Sequence, residues 1–132
     1  MSVFVDTSAF YAALDRKDQN HGAARGIWTQ LGRAGTRLVS TNYVVVETFA
    51  LVQSRLGLAA VRALQENLLP LVEIHWIDQE THTAGVAAVL AANRRALSLV
   101  DCISFIFMRQ FGIHEAFAFD GHFAEQGFTV VS

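Results

Sequence analysis

Five short apolar runs, separated by helix-length stretches, constrain this chain more than any other feature. "SVFV" (2–5), "RLVS" (37–40), "LVEIHWI" (71–77), "AFAFD" (116–120) and "FTVV" (128–131) read as strands. Between them, "TSAFYAAL" opens a helix that stops near the polar cluster "DRKDQNHG", and residues 21–34 form a helix ending at Gly35. Thr41 or Asn42 can N-cap a helix running to about Ser54, and Gly57 divides it from another that runs to Leu69. Asp78 and Glu80 suit the positive first turn of the next helix. "SLVDCISFIFMRQF" is the last long one, closed by Gly112. Strands that alternate with helices predict an α/β chain: a parallel sheet with helices on both faces, three layers in all. The 132 residues suit a single domain over 1–132.

That architecture directs attention to particular acids. In open parallel sheets ligands bind beyond the carboxyl ends of the strands. Asp6 directly follows "VFV" and Asp120 directly follows "AFAF", so both are expected there. Two further acids lie on apolar helix stripes. Asp101 shares its three- and four-residue steps with Leu97, Phe105 and Met108, and Glu47 shares its steps with Val44 and Leu51. An inward carboxylate costs several kcal/mol unless something compensates it. Each acid also has a structural reading: Asp6 as a helix N-cap, Asp120 as a turn former, Glu47 and Asp101 as partners of buried arginines. No lysine lies near any of the four. Carboxylates brought within ~4 Å repel by about 4 kcal/mol per pair at an effective dielectric of 20. A hard divalent cation offsets that repulsion, and Mg²⁺ and Mn²⁺ prefer oxygen ligands. Such a constellation suits phosphoryl transfer with a metal-activated water.

At these residues the chain resembles a known family. "VFVDTSAF", the helix carrying Glu47, "LSLVDCISF" and "AFAFDGHFAEQGF" together are similar to the PIN-domain ribonucleases, and more narrowly to the toxins of VapBC-type toxin–antitoxin pairs. The resemblance spans the whole chain. It implies a PIN-like three-layer domain with a central five-stranded parallel sheet and catalytic acids at Asp6, Glu47, Asp101 and Asp120. It implies Mg²⁺, with Mn²⁺ able to substitute. Asp6 and Asp101 are the expected direct metal ligands, with Glu47 and Asp120 binding its waters, orienting the nucleophile or completing a second site. It also implies endonucleolytic RNA cleavage by in-line attack, leaving 5′-phosphate and 3′-hydroxyl ends, and inhibition by a cognate antitoxin. The alternative is a catalytically inactive PIN-like protein-binding module with a structural metal site. Phosphatases with an Asp-x-Asp pair after the first strand fit poorly, because "DTS" has serine third; receiver-like domains need a late lysine, and Lys17 is the only one.

Supporting residues follow by position. Ser8 and Ser104 each could bind a metal-bound water or bond to their own helix; His122 could orient Asp120, touch RNA or be structural. Nine of the ten basic residues are arginine, and Arg16 (with Lys17), Arg94, Arg95 and Arg109 are candidate phosphate contacts. The formal charge of -2 gives no global attraction to RNA, so binding needs a local patch. With 52% hydrophobic and 17% charged residues the chain lies outside the disordered class. A mean hydropathy of +0.32 suggests surplus apolar surface, hence a homodimer with a groove for the antitoxin in segment 42–69. Cys102 is the only cysteine and reads as packing, so no internal disulfide forms and a reducing compartment fits. "MSVFVDTSAF" lacks a basic n-region, and no apolar run reaches membrane-span length, so a cytoplasmic protein without membrane contact is expected.

Overall fold

The computed structural model describes residues 1–132. The chain runs β1 (Ser2–Val5), α1 (Thr7–Leu14), α2 (His21–Arg33), β2 (Arg37–Thr41), α3 (Asn42–Leu56), α4 (Leu58–Ala63), β3 (Glu73–His75), α5 (Gln79–Ala92), α6 (Leu99–Gln110), β4 (Glu115–Phe117), α7 (His122–Glu125) and β5 (Thr129–Val130). The five strands form one sheet in the order β3-β2-β1-β4-β5, and every pair is parallel. β1 therefore lies at the centre. The chain leaves it towards β2 on one side and later returns as β4 on the other, so the crevice beyond β1 is the switch point of the sheet.

Both faces of β1 are covered, which makes the three layers. Phe4 points one way, its ring 5.9 Å from Phe107 of α6 and 6.0 Å from Phe123 of α7. On the other face, Phe117, in register with Val5, meets Trp28 of α2 edge to face at 5.4 Å, and Trp28 in turn meets Phe10 of α1. A strand sandwiched in this way must be apolar at every position, as "VFV" is. On the Phe4 face α5 packs on α6 through Gly85, where a Cβ would stand 2.3 Å from the Ile103 side chain.

Local chemistry sets the helix ends. Of the two expected caps for α3, Thr41 does the capping, accepting from the Val44 N–H, while the Asn42 side chain accepts from the Ile77 N–H. Gly57 ends α3 at φ 89, and α4 runs on through a π turn (Leu64–Leu68) and a 3₁₀ turn (Leu69–Leu71). Three expectations are corrected. "LVEIHWI" pairs only over Glu73–His75, because β3 is an edge strand bonded to β2 alone; Trp76 is 81% exposed. The stripe that joined Asp101 to Leu97 is broken: α6 begins at Leu99, capped by Ser98, so Asp101 belongs to its first turn and Leu97 lies outside it. Asp120 does not directly follow a strand, since β4 ends at Phe117 and Ala118 and Phe119 intervene.

Candidate active site

Asp6 is both a cap and a site residue. Its N–H donates to Phe117 O at 3.1 Å, which extends the β1–β4 ladder by one step. Its side chain then caps α1, accepting from the Ser8 N–H at 3.3 Å and the Ser8 hydroxyl at 2.8 Å. The same hydroxyl accepts from the Phe119 N–H at 2.9 Å. Ser8 thus ties the start of α1 to the segment that carries Asp120. Asp120 is fixed in a turn, its Oδ1 accepting from the His122 N–H at 3.0 Å.

Asp101 arrives by another local device. Its carboxylate accepts from the Ser98 N–H at 3.0 Å and its own N–H donates to the Ser98 hydroxyl at 3.0 Å, a reciprocal capping box. The positive end of α6 partly compensates its charge. Carboxylate oxygens of Asp6, Asp101 and Asp120 lie within 4.8 Å of one another. Glu47, half-buried on α3, lines the same cavity of about 240 Å³ without joining the tight trio. The arginine-paired reading of Glu47 and Asp101 fails, because no salt bridge includes either.

The electrostatics follow from burial. Asp6 is 4% exposed, and desolvation, with the charge of Asp120 second, pushes its pKa up to about 8 against the pull of the Ser8 hydrogen bonds. Burial also raises Glu47; the Thr7 hydroxyl opposes this, and the charges of Asp101 and Asp120 add to it. Thr7 is itself held by the fully buried Thr48, whose hydroxyl lies 3.0 Å away. An all-oxygen trio with no cation beside it fits Mg²⁺ or Mn²⁺, and no histidine or cysteine lines the cavity to favour a softer metal.

Other expected residues are placed differently. Ser104 is buried and bonds back to Val100 O at 2.8 Å, away from the cavity. His122 orients Asp120 through its backbone N–H, while its ring Nδ1 faces Glu125 at 3.5 Å. Arg94 is paired with Glu125 at 3.2 Å, and Arg109 holds Gln126 and covers the Phe128 ring. Arg16 and Arg95 are exposed and in no salt bridge. Cys102 is buried and contributes packing. Reading the sequence alone missed Asp18, Asn20 and Tyr11, all of which line the cavity. The first two lie in the polar cluster between α1 and α2, and only the folding of that loop over α1 reveals them.

Residues 3–128 match the PIN domain family. This chain belongs to that family. The PIN domain is 35% identical over 131 residues to the 23S rRNA-specific endonuclease VapC20 of Mycobacterium tuberculosis, covering 98% of this chain and 97% of the relative. Among solved structures it superposes on the crystal structure of M. tuberculosis VapC20, described as a sarcin-ricin loop cleaving toxin, with a TM-score of 0.82 at 32% identity and 96% coverage of each chain. FitAcB from Neisseria gonorrhoeae shares the fold, with a TM-score of 0.69 at 14% identity over 100% of this chain and 97% of the other. No helix of the PIN domain is long and apolar enough to cross a membrane.

Proposed function

We propose that this chain is a metal-dependent endoribonuclease, the toxin of a VapC-type toxin–antitoxin pair, and that it cuts the sarcin–ricin loop of 23S rRNA. The observation that carries the reading is the convergence of three carboxylates within 4.8 Å with no arginine, lysine or histidine in a salt bridge to any of them. The target is supported by the relative's 35% identity across nearly the whole chain. Asp6, Asp101 and Asp120 would hold Mg²⁺ or Mn²⁺, with Glu47 beside them. The ion, when bound, neutralises charge on the scissile phosphate and makes water a better nucleophile at neutral pH. Asp6, whose burial favours its protonated form, would give up that proton when a cation binds. Glu47, with its pKa raised by burial, is the group suited to take the proton of the attacking water at its carboxylate.

Residues 1–132 work as one catalytic unit in the cytoplasm, under control of an antitoxin. Exposed Val46 and Trp76 flank one apolar groove, which we assign to a homodimer contact. A second, lined by Ala13, Leu14, Trp28, Ala63 and Leu68, suits an apolar antitoxin segment. The test is cleavage of 23S rRNA in purified ribosomes by antitoxin-free protein, with ends mapped by primer extension. Cleavage is expected in the sarcin–ricin loop with Mn²⁺, abolished by EDTA and reduced about 10³-fold in Asp101→Asn. Cleavage that persists in EDTA removes the metal reading, and cleavage mapping elsewhere removes the target.

A further inference from the structure

The site is rich in acid, yet its substrate is a polyanion. Even with a divalent ion in place, RNA needs a cation at the mouth of the cavity. Arg37, Arg94 and Arg109 are engaged with Glu73, Glu125 and Gln126. Arg55 is different. It lies in the last turn of α3 and in no salt bridge. Glu47 and Leu51 line the acidic cavity from the same helix, and Arg55 continues their stripe at the next four-residue step. That places it about 12 Å along the helix from Glu47, less the backward reach of its side chain.

Arg55 also has a fixed neighbour. Its guanidinium carbon lies 5.6 Å from the centroid of the Tyr11 ring, and Tyr11 lines the cavity. The Tyr11 hydroxyl donates to Asp15 Oδ2 at 2.7 Å, which locks the ring in place. An anchored ring beside an unpaired guanidinium is the combination that grips single-stranded nucleic acid, the cation taking phosphate and the ring taking a base.

We propose that Arg55 and Tyr11 form the substrate-binding clamp of this site, Arg55 pairing with a phosphate that flanks the scissile one and Tyr11 carrying the adjoining base. The assignment rests on the ribonuclease reading above. It names residues outside the acidic set, so the two can fail separately.

The test uses the full chain and a fluorescein-labelled RNA hairpin of sarcin–ricin sequence. Binding is followed by anisotropy in EDTA, and cleavage kinetics are followed in Mn²⁺. Arg55→Gln should weaken binding about tenfold, raise KM rather than lower kcat, and reduce the slope of log Kd against log salt by about 0.7–1. Arg55→Lys should restore the slope but not the affinity, because an ammonium does not stack on the ring. Tyr11→Leu should weaken binding about 5- to 100-fold with the salt slope unchanged. Arg37→Gln, the same charge loss at the far end of the sheet, should bind and cleave as wild type does. All variants should keep the Mn²⁺-induced rise in melting temperature, which shows an intact site. Arg55→Gln with wild-type affinity, KM and salt slope overturns the clamp alone. A wild-type protein that neither binds nor cuts the hairpin overturns the clamp and the ribonuclease reading together.

Discussion

The two ends of the sheet handle charge in opposite ways. At the amino end, where β1, β2 and β4 begin, Met1, Arg37, His75, Phe107 and Glu115 border a cavity of about 400 Å³. Its arginine is paired: Arg37 forks onto Glu73 at 2.8 and 3.0 Å, and His75 stands 3.3 Å from the same carboxylate, its ring tilted against Phe107 and Phe111. At the carboxyl end the cavity is smaller, about 240 Å³, and gathers Asp6, Glu47, Asp101 and Asp120 with no salt bridge among them. Size does not distinguish the end to which we assign catalysis. Unbalanced like charge does, because a fold keeps desolvated carboxylates together at a cost that only a ligand offsets.

The sharpest way to break this comparison is pH. The folded-state pKa of Asp6, about 8, lies above its ordinary value of 3.8. Between those values the metal-free native state binds more protons than the unfolded state, so stability falls as pH rises. The limit is about 1.4 kcal/mol per pH unit for one proton. Urea melts in EDTA from pH 5 to 8 should show wild type losing ground steadily to Asp6→Asn; a constant gap removes the burial argument. Glu47, also raised, acts in the same direction. At the amino end the sign reverses. Arg37 holds Glu73 below the usual carboxylate range, so its contribution is present at neutral pH and lost on acidification.

Metal is the next lever. Saturating Mn²⁺ at ~100 times its dissociation constant should stabilise wild type by about 2.7 kcal/mol. For a domain of this size that is a melting rise of about 8–13 °C. Asp101→Asn should lose most of the rise. In EDTA it should melt close to wild type, because weaker capping and helix-dipole terms, about 0.5–1 kcal/mol, are set against relief of carboxylate repulsion. A variant that melts far below wild type in EDTA would make Asp101 structural. The smallest effect belongs to the amino end. Arg37→Gln breaks an exposed pair, so the melting temperature should move by a few degrees at most, with the Mn²⁺ rise and cleavage intact. Loss of cleavage there would erase the contrast between the two ends.

Much of this was written in local pattern. The alternation of strands and helices, the cap at Thr41, the stops at Gly35, Gly57 and Gly112 and the four acids themselves depend on residues a turn or less apart, where spacing alone decides geometry. What spacing could not decide is what meets what across the chain. Placing β1 between β2 and β4 puts Asp6 at the switch point, and that order follows from packing both faces of β1. Ser8 reaches Phe119 across 111 residues, and that single hydroxyl links the segments that carry Asp6 and Asp120. Asp101 looked like an inward charge in step with Leu97 until the Ser98 cap placed Leu97 outside α6 and Asp101 in its first turn. Tyr11 beside Arg55, and Asp18 at the cavity wall, likewise exist only once α1, its following loop and α3 share one surface. Residues distant in sequence become neighbours only when burial of the apolar faces fixes the elements against one another, and no local period encodes that.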